Sequence, residues 1–152
     1  MALRCTLHDS ADAEALEAVD RGLGAYNERE RALADVRRLD VFARDDLNAV
    51  VGGAVGRTWG TCCELLQLWV RDDQRRTGLG RALMARFEAA ARARGCTLVY
   101  LETWSFQAPG FYEKLGYRPV LATRGYTGDC IKFTMHKTLE VDASAAPEGD
   151  AR

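Results

Sequence analysis

No stretch of the chain approaches the roughly 18 consecutive apolar residues that a membrane-crossing helix needs. The opening segment, Met1-Ala-Leu-Arg-Cys-Thr-Leu-His8, is too polar for a signal peptide, so a cytoplasmic location with no membrane partner is expected. The five cysteines are an odd number with no CxxC spacing, and only His8 and His136 could join them as nitrogen ligands. A disulfide framework and a metal centre are both excluded on that count. The vicinal Cys62-Cys63 pair reads as two small strand residues rather than a redox centre. Neither sign of charge dominates: 21 Lys plus Arg stand against 22 Asp plus Glu, for a net charge of -1, which argues against nucleic acid as a partner. There is no internal repeat.

What is present suits one compact core. With 152 residues, 47% hydrophobic and 28% charged, the chain should bury enough surface to need no covalent staple. Residues 1–139 are expected to form a single domain, and residues 140–152, rich in small and acidic side chains without periodicity, a disordered tail. Residues 4–8 read as a short first strand. A helix follows, capped by Ser10 or Asp12, with Ala15, Leu16, Val19, Leu23 and Tyr26 on one face and Gly22 and Gly24 weakening its end. Residues 27–39 suit either a second short helix or a surface loop.

Strand-like runs then begin. Residues 39–43 and 49–57 read as a hairpin turning at Asp45-Asp46-Leu47-Asn48, and residues 61–70 as a strand covered on both faces. A helix carries Leu79, Ala82, Leu83, Phe87, Ala90 and Ala91 on one face and stops at Gly95. Residues 97–102 form the next strand, so the unit should be a parallel crossover. A short helix over 107–115 and strands over 117–122 and 130–139 close the pattern. The class is α/β of the α+β kind, a mixed central sheet of about six to seven strands flanked by about four helices.

The junction after Leu68-Trp69-Val70 carries the chemistry. Arg71, Arg75, Arg76 and Arg81 surround Gly78 and Gly80, where a strand turns into a helix. Such a turn leaves backbone N–H groups free at the positive end of a helix dipole, a ready cradle for an anion. The alternative is a tight turn beside a solvated basic face. The standard nucleotide sites are missing: there is no G-x-x-x-x-G-K-[ST], and Leu83 occupies the third position of a G-x-G-x-x-G. An NTPase or a dehydrogenase is thereby disfavoured.

Arg75-x-x-Gly78-x-Gly80 after a Val-ended strand resembles the acyl-CoA-binding motif of the GNAT superfamily of N-acyltransferases. Phe111-Tyr112-Glu113-Lys114-Leu115-Gly116-Tyr117 resembles that family's second signature, in the right order and about thirty residues on, and the likeness spans residues 45–139. It implies the GNAT-type fold, with acetyl-CoA as cosubstrate and no metal. The backbone of Leu68, Trp69 and Val70 would pair with the pantetheine arm, Arg75, Arg76, Thr77, Gly78, Leu79, Gly80 and Arg81 would surround the pyrophosphate, and Tyr112 would be the general acid near the sulfur. Where the family often has a cofactor-contacting asparagine, seven residues before that tyrosine, this chain has Ser105.

Acetyl transfer to an amine needs a neutral amine, a polarised carbonyl and a proton for the leaving thiolate. Glu64 is the expected base, eleven residues before Arg75, or else a strand glutamate in a salt bridge; Glu102 is second. Phe106, Phe111, Trp104 and Trp69 could line an acceptor pocket or belong to the core. The implied reaction is direct attack by a primary amine in a ternary complex, with a small-molecule acceptor and room for a homodimer. A protein amine as acceptor and a non-catalytic acyl-CoA-binding or protein-interaction module are the alternatives.

Overall fold

The computed structural model describes residues 3–30 and 35–140, which fall into two compact units divided between Asp35 and Val36. The first unit holds one helix, α1 (Ala13–Glu30). Asp12 caps it, its carboxylate accepting the Ala15 N–H at 3.0 Å, which satisfies one of the amides a helix start leaves free. The helix runs unbroken through Gly22 and Gly24 and on to Glu30, so the expected weakening does not end it. Glycine costs a helix about 1 kcal/mol per site, less than is needed to interrupt eighteen residues that include an Arg21–Glu17 pair one turn apart. Residues 4–8 form no strand, because alternation alone supplies no pairing partner. Of the stretch 27–39, residues 31–34 lie outside the described residues, as does the expected tail from 141 onward.

The second unit is a six-stranded mixed sheet built from β1 (Arg37–Arg44), β2 (Val50–Trp59), β3 (Cys62–Val70), β4 (Leu98–Trp104), β5 (Arg118–Thr123) and β6 (Lys132–Thr138), in the order β1-β2-β3-β4-β6-β5. Only β3 and β4 run parallel, as a helical crossover between them requires. That crossover is α2 (Leu79–Ala93), and α3 (Pro109–Lys114) links β4 to β5. With α1 this makes three α-helices rather than about four among the described residues. Pro109 opens α3 because a proline disfavours helical geometry in the residue before it, which is why residues 107 and 108 stay outside.

One face of the sheet packs against α2 through alternate residues. Ala54, Cys63, Leu65, Val99, Leu101 and Met135 meet Leu83, Met84, Phe87 and Ala91, all buried. Met84 takes the place expected for Ala82, which is exposed. The helix lies so close to β2 that a Cβ on Gly56 would stand 2.7 Å from Phe87 Cζ and 2.1 Å from the Glu64 carbonyl oxygen. Gly95, at φ +81°, ends the helix in the left-handed conformation that glycine adopts without strain. A charged side chain also enters this core. Glu88 accepts the Tyr117 hydroxyl at 3.0 Å and the Lys137 ammonium at 2.6 Å, so the buried carboxylate is fully partnered.

Candidate active site

A cleft opens where β3 leaves β4. The two strands pair only from Cys62 opposite Leu98 to Leu65 opposite Leu101. The next residue, Leu66, is the extra one of a bulge against β2, where Gly56 faces Leu65 and Val55 faces Gln67. A bulge bends and twists the strand that carries it, so the remainder of β3 and the end of β4 diverge around a space of about 1110 Å³. Leu66 and Trp69 are half exposed there while Leu68 and Val70 rest on the core, so β3 is not the doubly covered strand expected. Backbone groups of Leu66 to Val70 on that side have no β4 partner.

At the far end of β3 the chain passes through a short 3-10 turn (Asp72–Gln74) to α2. Arg76 has φ 62° and Gly78 φ 93°, two left-handed residues on either side of Thr77 that turn main-chain amides outward. Gly78 is the N-cap and has no side chain to satisfy the first amides of α2. The four arginines divide into two pairs. Arg71 is held by Asp73 at 2.7 and 2.9 Å and by Asp45 at 3.2 Å, and Arg75 by Asp72 at 2.8 Å. The guanidinium of Arg71 keeps the Asp73 carboxyl below the usual carboxylate range. Arg76 and Arg81 make no ion pair among the described residues, and both line the cleft.

Across the cleft, α3 presents Tyr112. Its ring is buried between Phe111 and Tyr117, with centroids 5.3 and 5.8 Å away. The hydroxyl has no hydrogen-bond partner among the described residues, and burial pushes its pKa up to about 12, so it keeps its proton throughout the neutral range. Gly80 sits beneath Phe111, whose Cζ a Cβ would meet at 3.4 Å. Gln107 closes the frayed end of β4, its side-chain oxygen accepting the Trp104 N–H at 3.0 Å and the Thr103 hydroxyl at 3.2 Å.

The two carboxylates differ in setting. Glu64 is tied to Arg57 at 2.7 Å and to the Tyr100 hydroxyl, and it does not line the cleft. Glu102 does line it; one carboxylate oxygen is paired with Lys132 at 2.5 Å. Of the other expected positions, Leu68, Trp69, Val70, Arg75, Arg76, Gly78, Gly80, Arg81 and Tyr112 come together around the cleft. Thr77 and Leu79 face a smaller groove of about 460 Å³ on the other side of the loop. Ser105 is occupied with Ile131, donating its N–H to that carbonyl at 2.8 Å and accepting the Ile131 N–H at its hydroxyl at 3.1 Å. Gln107 and the bulge at Leu66 escape sequence reading. A glutamine three residues past a strand carries no motif, and an extra leucine in an apolar run leaves no mark.

Comparison with known proteins agrees with this arrangement. The chain is 37% identical over 114 residues to Acetyltransferase Atu2258 of Agrobacterium fabrum, covering 75% of this chain and 83% of that one. It is 40% identical over 115 residues to the Blasticidin-S acetyltransferase of Streptomyces morookaense, covering 73% and 85%. The crystal structure of a protein assigned as an acetyltransferase from Agrobacterium tumefaciens superposes with a TM-score of 0.80, at 31% identity, over 90% of this chain and all of that one. The model of the Acetyltransferase (GNAT) family matches residues 7–117. Two signatures in sequence, a splayed parallel strand pair between them, and these likenesses agree: the chain belongs to the GNAT acetyltransferase family.

Proposed function

We propose that the protein, with residues 1–139 as its catalytic domain, is an acetyl-CoA-dependent N-acetyltransferase that transfers acetyl to a primary amine of a small molecule within a ternary complex. The observation that carries this reading is the continuity of one cleft, from two uncommitted arginines and a glycine turn at one end to a protonated, unpartnered tyrosine hydroxyl at the other. The residues fit acetyl-CoA. Arg76, Arg81 and the free amides around Gly78 suit a pyrophosphate, and the edge of β3 beyond Leu65 that has no β4 partner suits an extended amide-bearing arm that adds to it as a strand would.

The thioester supplies the acetyl group, and the protein handles protons and charge. A backbone N–H of β3 beyond the bulge holds the carbonyl oxygen and stabilises the negative charge that grows there. The attacking nitrogen gives up a proton as its bond to the acetyl carbon forms; Glu64 is the sink, reached through water because its carboxylate does not line the cleft. The carbon–sulfur bond breaks as Tyr112 donates its proton to the sulfur, and one proton has then entered and one has left the protein. A small-molecule acceptor accords with the likeness to an acetyltransferase named for blasticidin S.

Calorimetry with coenzyme A and thiol release from acetyl-CoA across a panel of primary amines test the reading. Binding that weakens in Gly80→Val, where the added branches meet Phe111 and enter the cleft, together with amine-dependent thiol release, is the expected result. A folded chain that ignores coenzyme A would sink it.

A further inference from the structure

The aromatic residues around the cleft separate into two groups. Phe111 packs on the core, whereas Phe106 is 68% exposed and Trp69, across the gap on β3, is 50% exposed. Phe106 is stacked on Trp104 with centroids 5.9 Å apart and planes at 17°, and Trp104 is gripped edge-on by Tyr126 at 4.6 Å. The Lys132 ammonium stands 6.0 Å from the Trp104 centroid while it pairs with Glu102. Three rings and an ion pair thus fix one platform, whose outermost ring, Phe106, lines the cleft with most of its surface open. A ring that served only the core would not be left so exposed. Glu102 lines the same cleft, and its second carboxylate oxygen has no partner among the described residues.

The charge of the lining narrows what fits there. Arg75, Arg76 and Arg81 are its cations and Glu102 its sole carboxylate among the described residues. With Arg75 paired to Asp72 and Arg76 and Arg81 taken by the pyrophosphate, the charge left for the acceptor is that of Glu102, which serves one amino group rather than several. We infer that the acceptor is a monoamine carrying a planar unsaturated ring, with the ring on Phe106 and the amino group received at Glu102. This rests on the acetyltransferase reading above and names the class of its acceptor. Glu102 here binds and orients; the proton sink remains Glu64.

The test compares 2-phenylethylamine with 2-cyclohexylethylamine, which differ in ring planarity and unsaturation, and with spermidine. Each is run in thiol release and in calorimetric binding to the coenzyme A complex. Offset-stacked or edge contact of aromatic rings is worth up to about tenfold in affinity beyond the area buried, so the phenyl amine should exceed the cyclohexyl amine by up to about tenfold in kcat/KM and show a Kd lower by the same factor. Phe106→Ala should erase that ratio at an unchanged melting temperature, since the ring is mostly exposed. Glu102→Gln should weaken both monoamines alike. Equal handling of the two rings by the parent, an undiminished ratio in Phe106→Ala, or preference for spermidine would overturn the inference. Amine binding with the expected ring ratio but no thiol release would leave the acceptor class standing and fell the enzyme reading instead.

Discussion

Tyr112 is a group whose chemistry can be separated from its packing. Its ring belongs to the core, but its hydroxyl holds nothing among the described residues, so removing that oxygen orphans no partner. Tyr112→Phe should therefore keep its melting temperature and its affinity for coenzyme A while turnover falls by about 10²–10⁴, the usual worth of a positioned acid. Melting and kcat measured on one preparation decide it, and an unchanged kcat would assign the proton to water. The arginines divide in a comparable way. Arg81 has no ion pair and Arg71 has two acidic partners, so Arg81→Ala should raise the Kd for coenzyme A about tenfold, whereas Arg71→Ala should leave Kd alone and lower the melting temperature. Titration calorimetry at fixed salt reads both.

At the scale of elements, β2 and the bulge on β3 set the cleft. Gly56 is where β2 must remain bare: a methyl there would overlap the Glu64 carbonyl and the Phe87 ring, and neither backbone nor core can yield far. Gly56→Ala is expected to cost about 3 kcal/mol, at the upper end of overpacking, read as a fall in denaturant midpoint. The sequence made the sheet, its long crossover helix and the glycine turn legible, because alternation, a period of 3.6 and two glycines each leave a local pattern. What stayed hidden depends on distant partners. Glu88 looks like a solvent residue until Tyr117 and Lys137, 29 and 49 positions away, converge on it. Leu66 looks like its apolar neighbours until β2 fails to match it. Arg71 and Arg75 read as ligand-binding cations, and the aspartate each meets in the same turn is what the sequence did not announce. Glu64, expected as the base, lies outside the cleft because its side chain meets Arg57 and Tyr100 instead.

For the whole molecule, buried acids set the response to alkali. Burial raises the Cys63 thiol from 9.0 to about 12 and the Tyr112 hydroxyl from 10.0 to about 12, and burial with Glu88 beside it raises Tyr117 as well. Above pH 9 the unfolded chain releases protons that the folded chain keeps, so stability present in full below that point declines as pH climbs toward 12. Melting temperatures taken between pH 8 and 11 should fall monotonically, and a flat profile would contradict the burial of these groups. Backbone pairing across the middle of the sheet consists of the four residue pairs from Cys62 to Leu65, with β1 and β2 on one side and β6 and β5 on the other. The sheet of the second unit is thus two three-stranded ribbons sharing a short seam, and the open part of that seam is the part a ligand would sew. On the edge of β3 turned away from β2, amide protons of residues 66–70 should exchange with solvent faster than those of 62–65 in the free protein and slow once coenzyme A is added, so that cofactor supply sets how firmly the two ribbons hold together.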